Sequence, residues 1–291
     1  MRNPPLIAAY VVLNEIDYLE ASLRTIYSTV DRIIIVENTN KCARAWANSQ
    51  GLSTDGTTEL IRDFPDPQGK IIYVPLGFVE GEWEARQAYL DRIETESILV
   101  VLDGDEVFYP GEIERAYEMM YELPVEILVG RHFMFWGDLR HYVRDETAQR
   151  RFLRVTSGLQ TGASWSAELN WSQEPQICIP DDPPRLLHFG YVRQPRRLLQ
   201  KVHYAYNYIR DLAPGPETYH IHSLEESEIP GEILLNHPCF TRQVPTEWEI
   251  VEFNEPLPEP FETHPFASLT EAEILDAAVV AQLWEEVENA W

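Results

Sequence analysis

The sequence predicts an α/β fold: a mostly parallel central sheet flanked by helices, with a C-terminal helical extension. Three observations predict it. Ile98-Leu99-Val100-Val101-Leu102 is a continuous apolar run of the kind that forms a strand buried on both faces. Similar runs alternate with helical periodicity over residues 6–110, which argues right-handed βαβ units. After Gly111 the alternation gives way to a mixture of strands and irregular aromatic stretches.

Leu6 to Leu13 reads as the first strand. A helix follows over Glu15 to Thr29, with Ile16, Leu19, Leu23 and Ile26 on one face. Arg32 to Val36 is a second strand, and Asn38 to Leu52 a long polar loop, a length that suggests function or mobility. Ser53-Thr54-Asp55-Gly56-Thr57 turns into a short helix. Lys70 to Val74 is the third strand, Glu82 to Thr95 a helix, and Ile98 to Leu102 the fourth strand. Beyond a helix to about Leu123, Val125 to Trp136, Arg151 to Val155 and Arg185 to Val192 read as strands, and Arg196 to Asp211 as a helix. Thr270-x-x-Glu273 is a capping box that opens a terminal helix to about Asn289. We therefore expect a catalytic domain over 1–212, with halves 1–110 and 111–212, and an extension over 213–291.

Composition bounds the function. The 291 residues carry 44% hydrophobic and 11% aromatic side chains, enough for a substantial core. A net charge of −25 argues against nucleic acid, whose phosphates require Lys and Arg. Only Lys41, Lys70 and Lys201 are lysines; the other basic residues are arginines, suited to bidentate anion recognition. Apolar runs fall short of the roughly 18 residues that span a bilayer. Met1 to Pro5 carries no basic leader, and Cys42, Cys178 and Cys239 fit neither a zinc spacing nor a disulfide set. A cytoplasmic placement is expected, with the acceptor as the route to any membrane surface.

The fourth strand runs into Asp103-Gly104-Asp105-Glu106. Ligands of open α/β sheets bind beyond the carboxyl ends of the strands. Clustered carboxylates there coexist most readily around a hard divalent cation, which would grip a phosphorylated ligand. A solvated acidic turn is the bland alternative.

Four pieces stand in order along the chain. They are Asn14-Glu15 after strand one, Glu37 after strand two with Ser53-Thr54-Asp55-Gly56-Thr57 beyond it, the Ala85-Arg86-Gln87 helix, and Asp103-Gly104-Asp105. This order resembles family-two glycosyltransferases of the GT-A fold over residues 6–110, and His188-Phe189-Gly190-Tyr191-Val192-Arg193 resembles the later part of bacterial members. Two departures stand out: a single Glu37 precedes the long insertion, and Gln87 replaces the usual Asn.

The resemblance implies an inverting, divalent-metal-dependent transfer from a nucleoside-diphosphate sugar to a hydroxyl acceptor, a glycan or glycolipid precursor. Mn2+ or Mg2+ would sit on Asp103 and Asp105, with Asp103 also reaching the ribose and His188 completing the sphere; the alternative for His188 is a core histidine. Asn14, Glu15, Glu37, Arg86 and Arg193 would line the donor pocket. Asn14 could instead cap the first helix, Arg86 could pair with Glu82, and Arg193, Arg196, Arg197 and Lys201 could be an ordinary helix face. Glu106 is either a supporting group or solvated. For the general base, Glu168 is preferred over Asp138 and Glu174, because Trp165 and Trp171 flank it. The terminal helix, with Ile274, Leu275, Ala278, Leu283 and Val287 on one stripe, would pack on the domain or pair two copies. The rival readings are a sugar-nucleotide pyrophosphorylase, which should show a Gly-rich basic loop after strand one, and a non-catalytic nucleotide- or glycan-binding module.

Overall fold

The computed structural model describes residues 2–144, 148–161, 174–212, 248–276 and 278–283. Its centre is a parallel unit: β1 (Leu6–Val12), β2 (Arg32–Thr39), β3 (Ile71–Phe78) and β4 (Ser97–Asp103) lie in the order β3-β2-β1-β4. Helices α1 (Leu19–Ile26), α2 (Thr57–Asp63) and α3 (Glu82–Leu90) connect them. The chain winds outward from β1 to β3 and then returns to the other flank of β1. The switch point therefore falls between β1 and β4, where such sheets open a crevice. Register aligns the strand ends there: Val11 stands opposite Asp103, and Val12 opposite Glu37.

Alternation within β1 builds two core layers. Leu6, Ala8, Tyr10 and Val12 pack with α1 and with Ile113, Ala116 and Met120 of α4 (Glu112–Glu122). Ile7 and Ala9 face Ala85, Ala88 and Tyr89 of α3. Both faces of the parallel strands are covered, which is why their sequences are near-continuously apolar.

The second half extends the same sheet with antiparallel pairs. β8 (Ala148–Val155) pairs with β4, and β6 (Ile127–Trp136) pairs with β8. β7 (His141–Val143) and the edge strand β11 (Ile250–Glu252) follow. β10 (Arg185–Tyr191) lies parallel to β6 and antiparallel to β5 (Glu106–Phe108), and β9 (Ile177–Cys178) also joins β6. The long helix α5 (Pro195–Leu212) follows β10. Two short helices, α6 (Glu259–Glu262) and α7 (Glu271–Ile274), lie near the C-terminus.

Two sequence expectations change. The capping box at Thr270 and Glu273 forms, but α7 ends at Leu275, and helix resumes over 278–283. Ile274, Leu275 and Leu283 are buried against this same chain. The Asn38 to Leu52 stretch is not a loose polar loop. β2 runs through Thr39, a 3₁₀ turn spans Lys41–Trp46, and Cys42, Ala43 and Leu52 are buried. Gly51 and Gly77, both at φ +76°, let this insertion lie directly on the end of β3, where an added Cβ would stand 2.5 Å from facing backbone atoms.

Candidate active site

The site begins where β1 turns. Asn14 holds a left-handed backbone, φ +56°, which Asn tolerates better than most residues. Its side-chain amide donates to the Trp46 carbonyl at 2.8 Å and accepts from the Thr54 amide at 2.8 Å, while Ser53 Oγ accepts from the Asn14 amide. Asp55 caps the α2 turn, accepting from the Thr57 amide at 2.9 Å. Glu37, fully buried, accepts from the Ser53 amide and the Thr58 hydroxyl on one oxygen and from the Tyr73 hydroxyl on the other. These bonds fix the 53–58 turn beside the end of β1.

Against this frame stands a network of paired charges. Asp105 is 2% exposed, and its Oδ2 accepts from Arg193 Nη2 at 2.6 Å and Lys201 Nζ at 2.7 Å. Arg193 also donates to Glu15 at 2.6 Å. Arg197 pairs with Asp55 and stands 3.3 Å from Asp17. Arg193, Arg197 and Lys201 are spaced four apart, so α5 and the turn before it aim one basic stripe at the acids. A second group centres on Arg151, which bonds Glu106 and reaches Asp103 at 3.2 Å. Glu106 in turn accepts from the Asp103 amide at 3.0 Å. Gly104 is required between the two aspartates, because a Cβ there would stand 2.5 Å from Glu15 Cγ.

Burial and like charge split the titrations. Burial opposes ionisation of Asp105, but Lys201 leads the neighbours that hold its carboxyl well below the usual range. Burial pushes Glu15 up to about 8, with Asp105 adding to the rise, so the pair carries close to one full charge. Burial likewise raises Glu106 to about 8 and Glu82 to about 7. His132 falls to about 4 and His188 well below its ordinary value, burial being the main cause of each; both imidazoles are neutral at pH 7.

A cavity of about 450 Å³ lies over these groups, within the range of small-ligand sites. Asn14, Glu15, Glu82, Asp103, Asp105 and His188 line its floor, and Trp46, Tyr191 and Tyr204 its walls. Trp46 Nε1 donates to His203 Nδ1 at 3.0 Å, which ties the Lys41–Trp46 turn to α5.

The structure thus brings Asn14, Glu15, Asp103, Asp105, His188 and Arg193 to one cavity. Two expectations are corrected. Glu37 does not face the cavity, because both its oxygens are occupied in pinning the 53–58 turn. Arg86 is absent from the lining and pairs with Glu82 at 2.8 Å, the i−4 arrangement. Asn14 lines the cavity but spends its side chain on neighbouring loops, and it does not cap α1, whose cap position is Tyr18. Asp138 is consumed by its own turn, accepting from the Arg140 and His141 amides. Glu168, with Trp165 and Trp171, lies outside the described residues. Sequence reasoning missed Arg151, His132 and Glu82; the usable signal for the first two was a charged or polar residue within an otherwise apolar strand.

Residues 50–174 match the model of the family described as Glycosyl transferase family 2. This stretch contains Asp103, Asp105 and Arg151. The match supports a glycosyltransferase, and the α/β fold is the one expected of the GT-A class. No curated protein matches the chain. Among solved structures, the crystal structure of S. aureus TarS 1–349 is similar at 13% identity and TM-score 0.42, covering 82% of this chain and 73% of that one. S. aureus TarS gives 12% and 0.40 over 81% and 44% of the two chains. TarS 1–349 in complex with UDP-GlcNAc gives 12% and 0.43 over 82% and 74%. Among the described residues, no helix is long and apolar enough to cross a membrane.

Proposed function

We propose that this chain transfers a sugar, with inversion, from a nucleoside-diphosphate sugar to a hydroxyl acceptor of the glycan or glycolipid-precursor class. The observation that carries this reading is the cavity at the β1/β4 switch point, where Asp103 and Asp105 meet Arg193, Arg197 and Lys201 within reach of the family-two match. An entering diphosphate competes with the acids for those three cations. Each exchange trades one ion pair for another, so the buried cations need never stand without a partner. Arg193 and Arg197 present planar forks suited to phosphate oxygens, and Lys201 a point charge.

A divalent ion, Mn2+ or Mg2+, fits this donor set. Asp103 is 43% exposed at its side chain, and Nδ1 of His188 is buried without a partner. Asp103, Asp105 and His188 would hold the ion, which would take up charge on the departing diphosphate. For Asp105 to serve, Lys201 must leave its carboxylate. The acceptor hydroxyl needs a base; Glu168 is assigned that role from sequence.

Thermal-shift screening of nucleoside-diphosphate sugars, with and without Mn2+, tests the reading, because a ligand bound to the folded state alone raises apparent stability. Donor hydrolysis or transfer should accompany the stabilising sugar. Stabilisation by a free nucleotide with no turnover of any donor would instead favour the non-catalytic module.

A further inference from the structure

Behind the cavity floor, three strands bring together groups that the transferase reading leaves without a task. β5 and β10 are antiparallel with His188 opposite Glu106, and β6 lies on the other side of β10. Glu106, His132 and His188 each offer one ligand atom within 4.8 Å of the others. His132 Nε2 stands 3.8 Å from Glu106 Oε1, and the two imidazole rings are 4.8 Å apart between centroids. Ligands at about 2.0–2.2 Å from one ion stand at most about 4.4 Å apart, so closing on an ion requires shifts of a few tenths of an ångström.

We propose that Glu106, His132 and His188 form a divalent-metal seat selective for ions that favour nitrogen ligands, such as zinc or cobalt, over magnesium. The supporting groups are in place. Nε2 of His188 faces Lys201 Nζ at 3.3 Å and Asp105 Oδ1 at 3.5 Å, which leaves Nδ1, buried without a partner, as the nitrogen for an ion. A ligating histidine typically turns its other nitrogen to a carboxylate, and Asp105 is placed to receive it. Glu106 is itself oriented by Arg151 and by the Asp103 amide, and a carboxylate with about four lone-pair sites can accept those bonds and still ligate. Two imidazoles and one carboxylate suit zinc and cobalt, whereas magnesium prefers oxygen alone. Asp105 then keeps Lys201 and Arg193, and its charge supports the ligand instead of touching the ion. The seat shares His188 with the ion site of the transferase reading, and it rests on that reading for what the ion does, not for whether it binds.

The test is Co2+ binding to the full chain without nucleotide, followed by visible absorption and calorimetry. One equivalent should bind with a spectrum of nitrogen ligation. Affinity should fall at least about tenfold in His132→Asn and in His188→Asn, and stay near native in Asp103→Asn. Nitrogen ligation is read on the native protein, so the test survives if one variant folds poorly. Native-like cobalt binding by His132→Asn would overturn the seat, as would failure of the native protein to bind cobalt. Loss of binding in Asp103→Asn alone would overturn it too, while leaving the Asp103–Asp105 ion site standing. Donor hydrolysis, measured separately with Mn2+, reports on the transferase reading whichever way cobalt behaves.

Discussion

Asp105 shows how much one side chain can be asked to do. It lies under the cavity with two cations on one oxygen. Asp105→Asn should abolish transfer and also lower stability by about 3 kcal/mol, because it removes the counter-charge of buried cations; urea melts beside activity assays check both effects. Glu82 makes a different prediction. In the folded chain it titrates near 7, in the unfolded chain near 4.5. The folded state therefore keeps a proton that the unfolded state loses between those values, and the stability this provides is full below about pH 4.5 and gone above about pH 7. Gln does not titrate, so Glu82→Gln should gain on the native chain as pH rises through that window, measured as the difference between their melting temperatures. A constant difference would show that Arg86 keeps Glu82 ionised throughout. Asp103, Asp105 and Arg193 were legible in the sequence, since acids at a strand end and a rare basic patch point to anion chemistry without knowledge of the fold. Glu37 was misread for a non-local reason. Whether a strand-end carboxylate meets a ligand or its own protein depends on where the 53–58 turn folds, and periodicity does not encode that.

The elements divide in the same way. β1 through β4 were readable because each is buried on both faces, so their apolar runs are unbroken. The 39–52 insertion was not, because its burial comes from a helix some 150 residues later in the chain. Trp46 reads as a lone aromatic in a polar stretch, yet its indole is bonded to His203 of α5. Trp46→Phe keeps most of the packing and loses that bond, and should cost about 1 kcal/mol. Amide exchange should quicken over residues 41–46 and at the start of α5 together. Acceleration in the insertion alone would mean that the two elements are not coupled through this contact. The terminal helix was read too long, because the capping box marks a beginning and says little about an end.

At the scale of the molecule, a formal charge of −25 acts on every element at once. Arginines and one lysine are gathered inward on the site acids, so much of the acidic excess is left outside. Self-repulsion should therefore limit stability at low ionic strength. The melting temperature should climb as KCl approaches about 1 M, where the Debye length is about 3 Å. Buried pairs such as Arg193–Asp105 are screened far less than surface charge, so a net fall in melting temperature with salt would place the controlling electrostatics inside the site. One sheet carries both halves of the chain, through the β4–β8 pairing. The donor side was foreseeable from its repeating alternation. The way the second half joins it was not, since antiparallel partners far apart in sequence leave no periodic trace.

Gly104 offers a way to probe the site without altering a single charge. The space where its side chain would be is filled by the first carbons of Glu15. Gly104→Ala acts as a wedge: the methyl group drives the start of the β1 turn away from β4 and pulls the Glu15 carboxylate off Arg193. All the titratable groups remain, but the guanidinium has one tether instead of two. If the cations exchange between acids and phosphate during a catalytic cycle, loosening one tether should change how readily the donor diphosphate enters and how slowly the product nucleotide leaves. The small residue between the two aspartates would then act as a regulator of residence time.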